Sequence, residues 1–265
     1  MLGTIVEESA KNPRSIKRLK NSEMEYINCD LCQIDDSRHL FESPDSRVVQ
    51  CNRCGLIFIN PRLKQESEKE AYADDYTLGY IAKQASKRRR ARRIVKRISR
   101  FKKGGRFLDI GCSAGFILEA ARNRGFEPYG VEIAPDALKY AKEKLGLQVN
   151  NGYIEEARFP DSFFDVITAY SVLEHVLYPT KFLQEMERIL KDDGLIEIWT
   201  PDIGHRRAKK MGLNWPAFIP GHLWFFTLET LGKILNKAGL QIYKNRFSFK
   251  DGLRVYITKL PNSRF

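Results

Sequence analysis

Short apolar runs alternate with longer segments of helical periodicity through the carboxyl-terminal part of the chain. The run 164–170 has the near-continuous hydrophobicity of a strand that is buried on both faces. Because strands and helices alternate, the pattern predicts an α/β fold with a doubly wound, mostly parallel sheet. The predicted strands are 106–110, 129–133, 147–150, 164–170, 195–199, 240–247 and 253–260, and the predicted helices are 115–124, 135–145, 180–190 and 227–239.

Composition divides the residues before this domain into three segments. Residues 1–27 are polar and basic, which predicts a loosely ordered arm. Residues 28–60 contain two cysteine pairs, and residues 61–103 predict a helical bridge. The α/β domain is then expected to occupy residues 104–265.

The positive charge of the chain is concentrated in the bridge. The net charge is +12, and the stretch 83–103 contains twelve Lys or Arg residues and no Asp or Glu, so the remainder sums to zero. Apolar residues recur there at helical spacing, which predicts an amphipathic helix with one basic face. That face either is solvated or attracts an anionic partner such as RNA, a nucleotide sugar, a lipid diphosphate or a membrane surface. The basic residues concerned are Lys87, Arg88, Arg89, Arg90, Arg92 and Arg93.

Four of the five cysteines form two Cys-x-x-Cys pairs, Cys29 with Cys32 and Cys51 with Cys54. Two such pairs supply four thiolates to a tetrahedral site that leaves no position for water, so they predict a structural zinc ribbon. Two disulfides are the alternative, which a reducing compartment disfavours. The fifth, Cys112, is expected to be a small packing residue.

The overall composition fits a globular protein with a hydrophobic core, since 43% of the residues are apolar. No apolar run has the length of a membrane-spanning helix, and the first residues do not resemble a secretory leader. We therefore expect a cytoplasmic location, with peripheral membrane contact as an option for the basic helix.

A buried strand continues through a glycine turn into a helix at residues 106–115. Glycines suit this turn because they adopt positive φ and let a ligand approach the backbone. The spacing Gly111-x-x-x-Gly115 differs from the Gly-x-Gly-x-x-Gly of dinucleotide sites, and Asp109 favours a cationic ligand over a pyrophosphate. Glu132 ends the next strand, where a carboxylate accepts hydrogen bonds from ribose hydroxyls. The turn therefore indicates S-adenosylmethionine, whose sulfonium and ammonium groups are cationic.

Several segments together resemble one group of proteins. They are the two cysteine pairs, Leu-Asp-Ile-Gly-Cys-Ser-Ala-Gly at 108–115, Leu-Glu-His-Val at 173–176 and Gly-His-Leu-Trp-Phe-Phe-Thr at 221–227. The chain resembles class I S-adenosylmethionine-dependent methyltransferases that have an amino-terminal zinc ribbon and are associated with polysaccharide and sugar modification. The resemblance covers about residues 28–240. It implies a Rossmann-like sheet of seven strands with the last strand antiparallel, and O-methylation of a sugar hydroxyl on a cell-surface glycan or its nucleotide- or lipid-linked precursor.

The resemblance also implies which residues bind the cofactor. Such enzymes hold the adenine in the loop after the third strand, which here contains Tyr153 and Ile154. Tyr153 stands where an aspartate is usual, so Glu155 either substitutes as the acidic partner or is an exposed carboxylate of the loop. The predicted cofactor-binding residues are Asp109, Gly111, Cys112, Ser113, Gly115, Glu132, Ile133, Tyr153, Ile154 and Tyr170.

Candidate catalytic residues follow the fourth and fifth strands. An alcohol that accepts a methyl group must lose its proton, and His175 is the predicted general base, oriented by Glu174. His222 is expected to bind the acceptor. The alternative is that His175 only caps a helix or packs in the crevice wall. Nearby aromatic side chains are expected to offer a sugar-stacking surface, unless they only pack against the last helix: Trp215, Trp224 and Phe225.

Two other functions stay open at this point. RNA methylation is the first, because some ribosomal-RNA methyltransferases also carry a zinc ribbon and the basic helix would suit a phosphate backbone. Against it, no Asn/Asp-Pro-Pro-Tyr/Phe motif follows the fourth strand, and no paired cysteines serve methylation of a pyrimidine carbon. The second is a non-catalytic binding module that keeps the fold.

Overall fold

The computed structural model describes residues 24–43, 46–64, 75–219, 221–246 and 251–261. Residues 1–23 of the predicted arm and residues 65–74 of the predicted bridge lie outside these ranges. The amino-terminal part contains strands β1 (Met24–Glu25), β2 (Ser37–Ser43), β3 (Ser46–Cys51), β4 (Ile57–Ile59) and β5 (Arg62–Leu63), followed by helices α1 (Asp75–Ala82) and α2 (Gln84–Ile98).

The α/β domain begins with β6 and alternates strands with helices. Its elements are β6 (Gly105–Ile110), α3 (Phe116–Arg122), β7 (Phe126–Glu132), α4 (Pro135–Lys139) with a π-helical turn (Tyr140–Lys144), β8 (Gln148–Asn151), β9 (Phe164–Tyr170), α5 (Pro179–Ile189), β10 (Leu190–Pro201), α6 (Arg206–Met211), a 3₁₀ turn (Gly212–Asn214), β11 (Trp224–Phe225), α7 (Leu228–Lys237), β12 (Leu240–Arg246) and β13 (Gly252–Lys259). Thr227 caps α7, with its side chain accepting a hydrogen bond from the Thr230 N–H.

Seven strands form one sheet in the order β12-β13-β10-β9-β6-β7-β8. All neighbours pair in parallel except β13, which is antiparallel to both β10 and β12. The prediction of a doubly wound, mostly parallel sheet with an antiparallel last strand is thus confirmed. The strand order reverses between β6 and β9, and ligands of such sheets bind beyond the carboxyl ends of strands at this point.

The basic helix α2 packs one apolar stripe on the domain. Its buried residues are Ala91, Ile94, Val95 and Ile98, as the helical spacing predicted. They join a core that includes Phe107 on β6 and Phe116 on α3. Among the described helices, none combines the length and the apolarity that crossing a bilayer requires.

Strand β10 is longer than the sequence predicted. The residues between the predicted helix 180–190 and the predicted strand 195–199 belong to this strand, with an irregularity in the register between Leu190 and Leu195. Leu190 already pairs with Phe164 at the start of β9, so the strand begins before the charged residues that predicted its boundary. Burial of Leu190 against the sheet outweighs the local turn preference.

The cysteine-rich segment shares a sheet with the α/β domain. Its sheet has the order β11-β4-β3-β2, in which β11 is contributed by residues 224–225. Trp224 pairs with Phe58 and Phe225 with Ile57, and the Trp224 and Phe58 rings stack 5.4 Å apart. The ribbon segment therefore lies directly against the loop that contains His222.

Polar contacts reinforce this junction at the start of α5. The buried carboxylate of Asp30, beside Cys29, accepts a hydrogen bond of 2.8 Å from the Thr180 N–H and another from the Thr180 hydroxyl. The Asp30 side chain thus caps α5, because Tyr178 at the N-cap position makes no capping hydrogen bond. Lys237 donates to the backbone oxygens of Asp30 and Leu31, both at 2.8 Å.

Candidate active site

The glycine turn connects β6 to α3 with the backbone geometry that the sequence predicted. Gly111 and Gly115 have φ angles of +64° and +81°. A Cβ on Gly111 would lie 2.7 Å from Cγ2 of Val172, in the segment that follows β9. The loops after β6 and β9 therefore touch at Gly111, which brings the predicted cofactor turn next to the predicted acceptor segment.

Ser113 takes the place of a glycine in this turn and still adopts a left-handed backbone, with φ of +49°. That conformation costs a non-glycine residue roughly 1 kcal/mol or more. Its N–H donates to Oε2 of Glu132 at 2.7 Å, which stabilises the turn. Its buried hydroxyl oxygen makes no hydrogen bond to any described residue, so it remains available to a ligand in the turn.

Glu132 ends β7 and holds the turn together in this structure. Its Oε1 accepts hydrogen bonds from the Ile133 and Ala134 N–H groups at 2.9 and 2.8 Å, in addition to the Ser113 bond at Oε2. The carboxylate that is predicted to bind ribose hydroxyls is thus already oriented by three backbone N–H groups. Oε1 already accepts two hydrogen bonds, whereas Oε2 accepts one and keeps a lone pair for a ribose hydroxyl.

Asp109 lies under the turn, almost completely buried. Its carboxylate accepts a hydrogen bond of 2.6 Å from Thr168 on the adjacent strand β9. Burial raises its pKa from 3.8 to about 7; the nearby Glu132 carboxylate also raises it, while the Thr168 bond and Arg90 lower it. Thr168 is a partner that sequence patterns did not single out, because only the sheet register places it beside Asp109.

Asp109→Asn is expected to change how stability depends on pH. Folded Asp109 binds its proton more tightly than the unfolded chain does, so the wild-type free energy of unfolding should fall as pH rises from about 4 to 7. The decrease attributable to this group is on the order of 4 kcal/mol. Asparagine does not titrate, so urea denaturation should show a smaller decrease in the variant. Asp193→Asn, at an exposed position, is the control. Equal decreases in the wild type and in Asp109→Asn would contradict a raised pKa at Asp109.

The loop after β8 only partly matches the predicted adenine site. Ile154 is buried and Tyr153 is half-buried, next to the edge of β8. The Tyr153 N–H donates to Oε2 of Glu156 at 2.9 Å. Glu156, rather than the predicted Glu155, is therefore the carboxylate that folds back on this loop.

Two other predicted cofactor residues, Cys112 and Tyr170, lie among contacts within the protein. Cys112 is buried, and its N–H and that of Gly111 both donate to the Val131 oxygen, at 3.1 and 2.9 Å. Tyr170 lies under the basic helix, with the Arg90 guanidinium 5.6 Å from its ring centre. Burial raises the pKa of Tyr170, and the neighbouring Glu197 carboxylate raises it further.

Glu174, His175 and His222 converge into a histidine–glutamate cluster beyond β9. One ligand atom from each residue lies within 4.8 Å of the other two, and the two imidazole rings are 4.6 Å apart in an edge-to-face arrangement. Two segments remote in sequence meet here, because the Leu223 N–H donates a hydrogen bond of 2.8 Å to the backbone carbonyl oxygen of Glu174. The structure thus brings together the three residues that the sequence proposed for catalysis.

Backbone carbonyls orient both histidine rings. Nδ1 of His175 lies 2.8 Å from the Gly221 oxygen, and Nδ1 of His222 lies 2.8 Å from the Ala217 oxygen. A carbonyl oxygen only accepts hydrogen bonds, so Nδ1 carries the hydrogen in each ring. In the neutral rings Nε2 therefore holds the lone pair, which is the state that accepts a proton or binds a cation.

Glu174 is 1% exposed and is anchored on one side only. Its Oε2 accepts a hydrogen bond of 2.9 Å from Thr200 at the end of β10, whereas its buried Oε1 accepts none from the described residues. Burial raises the pKa of Glu174 to about 7. Thr200 is a second partner that the sequence analysis missed, since nothing local marks it.

The prediction of an aromatic surface for sugar stacking is wrong. Trp215, Trp224 and Phe225 are at most 3% exposed. The Trp224 indole donates to the Val176 oxygen at 2.7 Å, and the Trp215 indole donates to Asp251 at 3.2 Å. These side chains instead fasten the His222 loop between the ribbon strand and the α/β domain.

The basic helix α2 divides its charges between the protein and the solvent. Arg88 forms a 2.6 Å ion pair with Glu119, and Lys87 and Arg90 lie over the rings of Tyr80 and Tyr170. Four basic residues of the predicted set are exposed: Arg89, Arg90, Arg92 and Arg93. These residues present positive charge to the solvent.

The four paired cysteines form a thiol cluster (Cys29, Cys32, Cys51 and Cys54) whose sulfur atoms all lie within 4.8 Å of one another. The Sγ atoms of Cys29 and Cys54 are 3.5 Å apart, and all five cysteines are free, so the disulfide alternative is wrong. Four sulfurs about 2.3 Å from a tetrahedral zinc ion would be about 3.8 Å apart. The thiol cluster therefore fits a zinc ion with little adjustment.

A family model described as a methyltransferase domain matches residues 82–245. The chain is 32% identical over 149 residues to the ubiquinone biosynthesis O-methyltransferase of Cereibacter sphaeroides, covering 52% of this chain and 60% of that protein. It is 33% identical over 107 residues to the enzyme of the same name from Glaesserella parasuis, covering 37% of this chain and 45% of that one. The chain thus spans about half the length of these relatives.

Solved structures share the fold at lower identity. A methyltransferase from Archaeoglobus fulgidus, described as dependent on S-adenosylmethionine, aligns with a TM-score of 0.54 and 19% identity, over 68% of this chain and 99% of that one. At this identity the likeness concerns the architecture. The matched fold is the same one that places β6 and β9 side by side here.

Proposed function

This chain belongs to the methyltransferase-domain family, and on that premise we propose that it transfers a methyl group from S-adenosylmethionine to a hydroxyl oxygen. One observation carries the proposal: the glycine turn touches the segment that holds the histidine–glutamate cluster, at Gly111 and Val172. Methyl transfer is an in-line displacement, so donor and acceptor sites must adjoin.

The residues around the glycine turn fit the cofactor. Gly111 and Gly115 keep the turn open, and the Ser113 hydroxyl, to which no described residue hydrogen-bonds, lies in it. Asp109 and Glu132 would hold the cationic and ribose parts of S-adenosylmethionine, with Tyr153 and Ile154 at the adenine. When bound, the cofactor supplies an electrophilic methyl group on a positively charged sulfur.

The histidine–glutamate cluster would receive the acceptor. In the reaction an oxygen–carbon bond forms while the sulfur–carbon bond breaks, and the hydroxyl proton must leave. We assign His175 as the general base, because its Nδ1–H is held by the Gly221 backbone oxygen and the lone pair of the neutral ring is then on Nε2. Glu174 and His222 lie close enough to orient the ring and the acceptor.

The sequence resemblance supports a sugar hydroxyl of a glycan, or of its nucleotide- or lipid-linked precursor, as the acceptor. The exposed Arg89, Arg92 and Arg93 suit an acceptor with a phosphate or diphosphate group. A second candidate comes from the relatives, whose names assign them to ubiquinone biosynthesis. Their match supports an oxygen acceptor without favouring a sugar.

We also propose that the thiol cluster binds zinc in a structural role. Four thiolates fill the coordination of the ion and leave no position for a substrate. The ribbon would then act as a support for the His222 loop through the pairing of β4 with β11.

The acceptor is best identified with S-adenosylmethionine labelled in its methyl group. Incubation with separate glycan, lipid-linked sugar, quinone-precursor and RNA fractions should place label in the sugar-containing fractions. Label only in the quinone-precursor fraction would replace the sugar by the second candidate, and label only in RNA would reject both. Gly111→Arg is the control, because a side chain at this position collides with Val172 and fills the turn. Transfer that survives this change would contradict the assigned cofactor site.

A further inference from the structure

The exposed side of helix α2 carries a ridge of basic side chains. Arg89, Arg93 and Lys96 follow one another at intervals of four and three residues, and Arg100 continues this spacing in the turn after the helix. Residues at such intervals project from the same side of a helix, with Cβ atoms about 5–6 Å apart. All four side chains are exposed, opposite the buried stripe that ends at Ile98. The basic ridge (Arg89, Arg93, Lys96 and Arg100) thus extends over about 16 Å.

Other basic residues of α2 and the following turn face the domain, and the domain neutralises them. Each is paired with an acidic residue at 2.6 to 3.2 Å: Arg88 with Glu119, Lys102 with Asp193, and Arg97 with the buried Glu197. The four residues of the basic ridge form no ion pair with an acidic residue in the part of the chain that the structure describes. The fold therefore supplies counter-charges where α2 meets the domain and leaves the basic ridge uncompensated.

The uncompensated charge of the basic ridge opposes formation of the helix that carries it. Like charges four residues apart destabilise a helix, and no Asp or Glu occurs between residues 83 and 103 to offset the repulsion. An anionic partner would remove this repulsion on binding. The basic ridge is therefore complementary in charge to a negatively charged surface or chain.

The length of the basic ridge favours a partner with repeated negative charges. A single phosphate or diphosphate group would contact one or two of its residues, because neighbours are about 5–6 Å apart. No large apolar or aromatic side chain of α2 is exposed, so the helix offers nothing to insert into a bilayer and no platform for RNA bases. Carboxylates or phosphates along a sugar chain need only guanidinium and ammonium groups, and guanidinium groups bind them in bidentate geometry.

The basic ridge begins at the edge of the sheet where the acceptor is proposed to bind. Arg90, directly after Arg89, lies 5.6 Å from the ring centre of Tyr170, which is the last residue of β9. The segment that continues from Tyr170 contains two residues of the histidine–glutamate cluster, Glu174 and His175. A chain bound along the basic ridge would therefore lead to the same edge of the sheet.

We infer that the basic ridge docks an acidic polysaccharide, a linear sugar chain with a carboxylate or phosphate on its repeating units. That the docked chain is also the methyl acceptor rests on the proposed function. One sugar hydroxyl would then lie at the histidine–glutamate cluster while further units of the chain lie along α2. The acceptor is thus a charged polymer rather than a single nucleotide-linked sugar.

Polygalacturonate, which bears a carboxylate on every sugar, is the probe for the basic ridge, and neutral dextran is its uncharged counterpart. Fluorescence anisotropy of the labelled polymers with the whole protein should show saturable binding of polygalacturonate alone, and this binding should weaken as salt is added. Arg93→Glu combined with Lys96→Glu should weaken it at least about tenfold, because one charge-assisted contact contributes about that factor.

A matched control separates the basic ridge from net charge. Lys142→Glu combined with Lys144→Glu, in the π-helical turn after α4, changes the net charge by the same amount and should bind polygalacturonate as the wild type does. All four changed side chains are exposed, so both double variants are expected to fold.

No binding of polygalacturonate by the wild type, or equal affinity of the wild type and the ridge variant, would overturn the inference. Tighter binding of polyuridylate RNA or of phosphatidylglycerol vesicles, lost in the ridge variant, would also overturn it, since that probe would then represent the partner. Equal methyl transfer to sugar fractions by the wild type and the ridge variant would overturn the acceptor role of the docked chain and leave the O-methyltransferase proposal intact. Binding of polygalacturonate that depends on the basic ridge would support the docking surface even if no sugar fraction were methylated, and that result would count against the proposed function alone.

Discussion

His175→Ala is expected to lower the turnover rate by about 10²- to 10⁴-fold while leaving the affinity for S-adenosylmethionine nearly unchanged. The ring lies beyond β9, where the acceptor is proposed to bind, and is held by the Gly221 backbone oxygen. The predicted cofactor contacts, in contrast, come from the turn after β6 and from Glu132 on β7. Titration calorimetry of the cofactor and turnover with labelled methyl groups measure the two quantities separately.

A matched control separates this effect from a general loss of structure. His39→Ala removes a histidine from the exposed surface of strand β2, where the ring contacts Glu42 at 3.2 Å. It should leave both turnover and cofactor affinity at wild-type values. Unchanged turnover in His175→Ala would remove this residue from the mechanism, and a parallel loss of cofactor affinity would indicate a packing role instead.

The backbone geometry of the glycine turn could be predicted from the sequence because it is determined locally. A turn that needs positive φ selects Gly111 and Gly115 at fixed positions, and the strand pattern places Glu132 at the end of the neighbouring strand. The partner of Asp109 could not be predicted in this way. Thr168 reaches it only through the register between β6 and β9, which no local signal specifies.

The acceptor half depends on contacts between distant segments. The sequence pointed to His175 and His222 separately, and the sheet topology explains why the loops after β9 and β10 meet. It did not indicate that Trp224 would stack on Phe58 of the ribbon. An exposed aromatic surface and a buried aromatic anchor have the same residue pattern, and burial distinguishes them only after the fold is complete.

The junction between ribbon and domain connects the thiol cluster to the histidine–glutamate cluster. Strand β4 begins shortly after Cys54 and pairs with β11, and the Ile59 N–H donates to the Leu223 oxygen at 2.9 Å. Leu223 directly follows His222. We therefore expect that a loosened ribbon would displace His222 and with it the histidine–glutamate cluster.

Removal of the proposed zinc ion is accordingly expected to lower both thermal stability and turnover. Structural zinc binds with on the order of 10 kcal/mol in small ribbons, and a loss of even about 3 kcal/mol would reduce the Tm of a domain of this size by about 6–12 °C. Cys51→Ser should reproduce the loss, measured as zinc content, Tm and turnover. Cys112→Ala, outside the thiol cluster, should retain its zinc. Full Tm and turnover in Cys51→Ser protein that lacks zinc would show that the ribbon needs no metal to support His222.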